Sequence, residues 1–414
     1  MDMKKKFKII TIGCKTNQYE SQAFSDQLKQ LGLVPLLNSY EGADICIVNT
    51  CSVTKNADKK SLSAIKFLKK KNPKARFFIT GCMCKKVLEN LEKDIIVVSN
   101  ANKRNLISKI FPKRVIPKFN IKNFDNHTRA FVKIQDGCNS GCSYCVIPYT
   151  RGRSRSRKLL EILCEISKLI DSGYKEIVLT GINIAEYKSD VSFEELLKRI
   201  ERLEGLERIK ISSIDPIGIT DDLISILKES KKIVSSLHLV LQSGSDRILK
   251  KMNRKYTIEK YLENEKRLLA LDSDFTFTTD IIVGFPSETD EDFEKTLQIV
   301  KEVKFSKVHI FPYSKRPNTV AATYKEHLNS EIIERRKNIL KKVVSEAAFE
   351  KGLEFIGRKM KVLLEKEKGG YFFGHTQNNL LVCLSKSNIA KSNDIVDVKL
   401  IENKNDYILG ELCI

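Results

Sequence analysis

Three cysteines spaced Cys138-x₃-Cys142-x₂-Cys145 are the residues of this chain best placed to do chemistry. Three thiolates hold three irons of a four-iron cube and leave the fourth iron open to a ligand that is not protein. An electron-carrying ferredoxin uses a tighter C-x₂-C-x₂-C run and a further cysteine that closes the cube. The next cysteine here, Cys164, lies 19 residues on in LLEILCEISKLI, whose apolar residues recur at helical spacing and predict a core position for it. A structural zinc site takes four ligands from two spaced pairs, and no second pair follows nearby. An open iron beside a Gly/Asn/Ser-rich loop can chelate a small amino acid through its amine and carboxylate. S-adenosylmethionine (SAM) is such a molecule, and its reductive cleavage begins radical chemistry.

The residues around the triplet fit that reading. Gly137 and Gly141 let the backbone bend closely around a cluster, and Tyr144 offers an aromatic edge near the open iron. Arg151, Arg153, Arg155 and Arg157 follow, alternating with small residues. Guanidinium groups bind phosphate through two hydrogen bonds and stack on bases, so this run predicts an RNA contact; elsewhere it would read as a solvated charged turn.

A second set, Cys14, Cys51 and Cys82, follows three predicted strands by at most a residue or two. A lone cytosolic cysteine is often a small buried hydrophobe. Three at strand ends could converge as ligands, with Cys84 competing with Cys82 in GCMC. Cys46, inside a strand, and Cys383 and Cys413, near the C-terminus, read as packing residues. The five histidines show no metal-ligand spacing.

The elements that must position these groups fall into three stretches. In residues 1–115 the strands FKIITIG, ADICIVNT, ARFFITG and DIIVVSN alternate with helices over 20–31, 55–70, 85–93 and 101–110. This predicts an open parallel α/β sheet with its working loops at the strands' carboxyl ends. A lysine-rich passage over 112–128, with Pro112 and Pro117, reads as a linker. Residues 124–353 then contain six strands, RAFVKIQ, KEIVLTG, RIKISSI, LHLVLQS, FTFTTDIIVGF and KVHIFPYS, separated by amphipathic helices. Six βα units predict a partial TIM-like (βα)₆ barrel with its chemistry at the strands' carboxyl mouths. Polar groups at those mouths, Gly181, Asn183, Ser213, Gln242 and Asp280, together with Tyr144, suit the hydroxyls, carboxylate and base of a SAM molecule. A charged helix over 331–352 leads to residues 354–414, whose short alternating strands predict a small antiparallel β-barrel.

The net charge of +21 over 414 residues points to a polyanionic partner. Residues 1–120 hold a surplus of 15 positive charges, whereas 354–414 are nearly neutral. No secretory leader and no apolar run long enough to span a membrane is legible, which predicts a cytoplasmic protein with no membrane partner. Eleven cysteines without a leader argue for metal or catalysis over disulfides.

The chain closely resembles the radical-SAM methylthiotransferases over essentially its whole length. The resemblance rests on GCKTNQYES (13–21), NTCSVT (49–54), GCMC (81–84), the cluster segment, LQSGSDRILKKMNRKYT (241–257) and TDIIVGFPSETDEDF (279–293). It implies an N-terminal methylthiotransferase domain, a radical-SAM core and a terminal RNA-binding TRAM domain. Two [4Fe–4S] clusters are implied: a SAM-binding one on Cys138, Cys142 and Cys145, and an auxiliary one on Cys14, Cys51 and Cys82. A deoxyadenosyl radical from one SAM would take hydrogen from C2 of an adenine, a second SAM would methylate sulfur, and the methylthio group would be inserted at C2.

CKTNQYES and RGRSRSR are similar to the branch acting on N6-threonylcarbamoyladenosine at position 37, beside the tRNA anticodon. The anticodon loop, a reducing electron donor and a sulfur source are then the implied partners, and DNA is not expected. Isopentenyladenosine, a ribosomal-protein aspartate, and a non-catalytic iron–sulfur RNA-binding role are the alternatives. The chain departs from the family pattern in GCMCKK, at Val240, and in GHTQNNLLV of the terminal stretch, where an aromatic is missing.

Overall fold

The structure, a computed structural model, describes residues 4–83, 94–125, 127–386 and 389–413. The helix expected over 85–93 and Cys84 lie outside the described residues. No helix among the described residues is long and apolar enough to cross a membrane.

The first sheet contains β1 (Lys6–Thr11), β2 (Val34–Pro35), β3 (Ile45–Thr50), β4 (Arg76–Gly81) and β5 (Ile95–Val97), all parallel, in the order β2-β1-β3-β4-β5. In this order the chain turns outward in opposite directions from β1 and β3, which opens a crevice beyond their carboxyl ends. Cys14 follows β1 and Cys51 follows β3, so the topology sets one on each side of that crevice. Helix Lys15–Gln30 begins earlier than its apolar spacing predicts. Its polar first turns are buried because two cores share it: Tyr19 and Ala23 pack into the central core, Phe24 and Leu28 into the N-terminal one.

The passage over 112–128 is no loose linker. Ile121 and Phe124 are buried in the central core, and Phe119 packs against both cores. Its backbone is held as well: Ile121 N–H donates to Glu165 at 2.7 Å and Lys122 N–H to Asp26 at 2.7 Å. The polar composition hid three apolar anchors.

The central unit is a half-open barrel of six parallel strand positions. They are β6 (Arg129–Lys133), β9 (Glu176–Thr180), β10 (Arg208–Ile211) continued after Ser212 as β11 (Ser213–Ile214), β12 (Ser236–Leu239), β13 (Thr276–Val283) and β14 (Lys307–Pro312). A two-residue ribbon, β7 (Gln135–Asp136) with β8 (Arg155–Ser156), closes the cysteine loop. Side chains alternate across each strand. One set (Ala130, Val132, Ile177, Leu179, Ile209, Ile211, Leu237, Leu239, Phe277, Ile281) forms the core under the helices. The other set, which includes Arg129, Glu176, Lys210, His238 and Asp280, lines the concave face. Ser192, Thr220, Thr257 and Thr289 cap the outer helices by accepting from their first-turn amides.

Helix Ser330–Leu353 leads to a closed barrel in the order β15 (Lys359–Lys368), β16 (Tyr371–Thr376), β17 (Leu381–Ser385), β19 (Ile408–Leu412), β18 (Ile395–Asn403). The all-antiparallel expectation fails at one seam, since β17 and β19 run parallel. A ring of five strands cannot alternate direction all the way round, so closure requires such a pair. This barrel docks on the amino ends of the central strands. Arg129 donates to Glu365 at 2.9 Å, Arg208 to the carbonyls of Lys361 and His375, Lys210 to Asn379, and Thr276 to Asn378 O.

Candidate active site

Cys14, Cys51 and Cys82 meet at the carboxyl edge of the first sheet. Gly13 has a left-handed φ of +116°, and a Cβ there would lie 2.8 Å from Cys51 Cβ and 3.2 Å from its sulfur. Only glycine lets these two loops approach so closely. Thr50 pairs with Gly81 across β3 and β4, and Cys82 N–H donates to Thr50 O at 3.0 Å. Asn17 ties the group together, donating to Ile12 O at 2.7 Å and Thr50 O at 2.9 Å. Cys14 is the N-cap of the sixteen-residue helix.

The central unit completes this edge. Arg151, six residues past Cys145, donates through Nε to Cys82 Sγ at 3.2 Å, and its other nitrogens reach Asn17, Glu20 and Asp136. Lys103 and Lys133 contact the same two carboxylates, and no side chain of the five is more than 10% exposed. The three cations hold the carboxyls of Glu20 and Asp136 well below the usual carboxylate range, so both are charged. Three positive charges then face two negative ones, and the surplus points at the sulfur of Cys82. A buried surplus of this kind calls for an anionic partner. The Cys51 loop is clasped from the same side, where Arg316 donates to Ser52 at 2.9 Å and to Asp58 at 2.6 Å.

The Cys138–Cys145 loop is held by a different set. Gly137 (φ +76°) places the chain so close to its return segment that a Cβ would sit 2.7 Å from Gly152 O and overlap Arg153. Ser143 N–H and Oγ donate to the carbonyls of Met252 and Lys251, Asn253 to Gly141 O at 2.8 Å, and Arg254 to Cys142 Sγ at 3.2 Å. Arg254 is itself fixed by Asp215 at 2.6 Å. Cys138 Sγ accepts from Ser140 N–H at 3.4 Å and from Asn183 at 3.9 Å.

These donor sets fit iron–sulfur ligation. Each triad consists of free thiols, and the sulfurs of Cys82, Cys138 and Cys142 each face an N–H donor. Burial pushes the Cys51 thiol up to about 11, the Cys145 thiol up to about 12, and raises that of Cys138. A metal cation taking the proton's place would ionise such thiols.

Of the residues expected to hold SAM, Tyr144 lies within this loop and Asn183 contacts it, and the others stand apart from it. Asn183 donates to Ser140 and Glu186. Gly181 leaves room for Gln135, whose Oε1 accepts from the Ile182 and Asn183 amides at 2.9 and 3.0 Å. Gln242, three residues past β12, has φ +66°, and its buried Oε1 has no partner among the described residues, an acceptor left for a ligand. Tyr144 packs edge-on to Phe285, with Tyr313 and Tyr324 beside it. Ser213 and Asp280 lie on the concave face. Asp280 stands with His238 and His309, their ligand atoms within 4.8 Å of one another. No sequence spacing reveals that trio, because three adjacent parallel strands supply it.

The arginine run divides. Arg153 and Arg155 are exposed, but Arg151 is wholly buried and Arg157 turns inward to Glu165 at 2.5 Å. Cys164 is exposed as well, correcting its expected core position: Ile162, Glu165, Ile166 and Leu169 form the buried face of its helix. Cys46 and Cys383 are buried, and Cys413 is half-buried. Sequence reasoning missed Asn17, Glu20, Lys103, Asp136, Arg254 and Glu186. The signal for Arg254 stood inside LQSGSDRILKKMNRKYT, but its sulfur partner lies 112 residues away.

Residues 132–300 match the Radical SAM superfamily, and residues 6–100 match an uncharacterized protein family, UPF0004. The chain is 42% identical over 416 residues, 99% of both chains, to the threonylcarbamoyladenosine tRNA methylthiotransferase MtaB of Chlamydia pneumoniae. It is 38% identical over 98% of its length, and 96% of the relative's, to a tRNA-2-methylthio-N(6)-dimethylallyladenosine synthase of Clostridium botulinum. Among solved structures, the cobalamin-dependent S-adenosylmethionine radical enzyme OxsB shares the fold at a TM-score of 0.53 and 11% identity, over 81% of this chain and 56% of that one.

Proposed function

Because the chain belongs to the radical-SAM methylthiotransferase family, we propose that it inserts a methylthio group at C2 of N6-threonylcarbamoyladenosine 37 of tRNA. The observation that carries this reading is end-to-end identity of 42% with an enzyme named for that nucleoside. Membership in the Radical SAM superfamily brings one [4Fe–4S] cluster and SAM with it. We assign that cluster to Cys138, Cys142 and Cys145, and a second to Cys14, Cys51 and Cys82. When bound, the two supply the electron that cleaves SAM and an iron site that carries the sulfur to be transferred.

The protein's own residues orient these groups and balance their charge. Arg254 neutralises the first triad through Cys142, and Arg151 the second through Cys82. Asn183 offers a donor beside the first triad, and Gln242 a buried acceptor without a partner among the described residues. Arg153 and Arg155 are exposed toward phosphates, Arg155 while also donating to Arg151 O at 3.2 Å, and Tyr149, 62% exposed, offers a ring on which a loop base can stack. Reduction and sulfur resupply fall to an external electron donor and sulfur source. The division into 1–115, 124–353 and 354–414 is part of the same proposal.

The dimethylallyl relatives support a second reading on their 38% identity. Mass spectrometry of tRNA nucleosides from cells with and without the gene separates the two. Gain of 2-methylthio-N6-threonylcarbamoyladenosine is expected. Gain of the dimethylallyl product instead, or of neither, refutes the proposal.

A further inference from the structure

Lys15 reaches the concave face of the central barrel from outside it. Lys15, next to Cys14 and at the first position of its helix, reaches over the ring of Phe131 on β6, 6.0 Å from its centroid. The charges it faces are Arg129 on β6, Glu176 on β9, Asp280 on β13 and the neighbouring Cys14, with His309 on β14 and Lys210 on β10 also within its field. It therefore stands between the two edge strands of the half-open barrel, at the place where the auxiliary triad meets the concave face.

Its ammonium makes no ion pair and no hydrogen bond among the described residues, although carboxylates are close by. Glu176 and Glu365 are already engaged by arginines, whereas Asp280 has only a histidine beside it. Glu365 and Glu176 lie 2.9 and 3.7 Å from Arg129, Arg208 is 3.9 Å from Glu176, and Asp280 is 3.3 Å from His238. Burial pushes the Lys210 ammonium down to about 7, and it already donates to Asn379. Lys15 is the cation of this group that meets no protein acceptor among the described residues. A half-buried ammonium without a protein partner is open to an anionic ligand.

The two nucleosides named by the relatives differ in this respect. The dimethylallyl group is a hydrocarbon, whereas the threonylcarbamoyl group ends in a carboxylate. We propose that Lys15 receives the carboxylate of the threonylcarbamoyl group and so selects that nucleoside over an uncharged one. This inference rests on the threonylcarbamoyladenosine reading above. SAM also carries a carboxylate, so the test has to tell the two sources apart.

The test uses iron-loaded protein and anticodon stem-loops labelled for fluorescence anisotropy. Four loops differ only at position 37: adenosine, threonylcarbamoyladenosine, its carboxamide analogue, and dimethylallyladenosine. The wild type is expected to bind the carboxylate loop about tenfold or more tightly than the adenosine or carboxamide loop. Lys15→Gln loses that preference with its adenosine-loop affinity and SAM affinity unchanged, and Lys15→Arg keeps most of it. The proposal is overturned if wild type binds carboxylate and carboxamide loops equally, or if Lys15→Gln retains the preference. It is also overturned if Lys15→Gln weakens SAM binding, which would assign the ammonium to the methionyl carboxylate. A wild type that favours the dimethylallyl loop instead refutes the substrate reading itself. The carboxamide arm needs no substitution, so equal binding of the two loops overturns the proposal even if the lysine variants lose iron.

Discussion

Replacing Arg151 by Met tests the charge balance at the auxiliary site, because its cost must depend on whether iron is bound. Without iron, the buried group holds three cations against two carboxylates. Arg151→Met then leaves two against two: the charges balance, and what is lost is hydrogen bonding to Asn17, Glu20 and Asp136. A buried polar group left unsatisfied costs about 1–3 kcal/mol. With iron, Cys82 is a thiolate whose nearest cation is the Arg151 Nε at 3.2 Å. Removing one partner of a buried ion pair costs about 3–5 kcal/mol. The difference, roughly 2 kcal/mol, corresponds to roughly 30-fold weaker iron retention. Anaerobic iron release to a chelator, in a background where Cys138, Cys142 and Cys145 are alanine, reads it directly. Urea unfolding of the iron-free forms gives the smaller cost. Equal iron release from Arg151→Met and its parent, or a larger cost in the iron-free protein, would refute the charge argument.

Two further outcomes follow from the same geometry. Gly137→Ala drives a Cβ into the backbone of Gly152 and Arg153, so iron at the Cys138 triad and 5′-deoxyadenosine formation from SAM should be lost while auxiliary iron stays. Loss of the auxiliary iron, or normal SAM cleavage, would contradict it. The carboxyls of Glu20 and Asp136 titrate below their ordinary values of 4.5 and 3.8. Their stabilisation is therefore complete above those values and drains away as pH falls below them. The urea midpoint should drop as pH falls below about 4.5, with a shallower fall in Glu20→Gln. Identical profiles for the two proteins would count against the network.

The cysteines were legible because ligand spacing and strand-end position are local properties of a sequence. So were the parallel sheets, whose strands are continuous β-branched runs. What escaped was the direction of side chains whose partners are distant. The run Arg151 to Arg157 reads as one charged surface. The short β7–β8 ribbon instead turns its first and last members inward, to Glu20, 131 residues away, and to Glu165. Cys164 sits among apolar residues yet faces out, because a helical stripe is narrow and its phase excludes that position. The His238–Asp280–His309 trio needed the register of β12, β13 and β14, which no spacing carries.

The buried charge group also bears on the order in which the protein can be finished. Glu20 and Lys103 emerge from the ribosome with the first sheet, but Lys133, Asp136 and Arg151 are translated later, and Arg316, which clasps the Cys51 loop, later still. A nascent chain stopped at residue 115 has all three strand-end cysteines but only one of the three cations that complete their surroundings. The surroundings of Cys14, Cys51 and Cys82 are therefore completed late, and under the proposed assignment iron delivered before the central barrel has closed would meet thiols without their counter-charge.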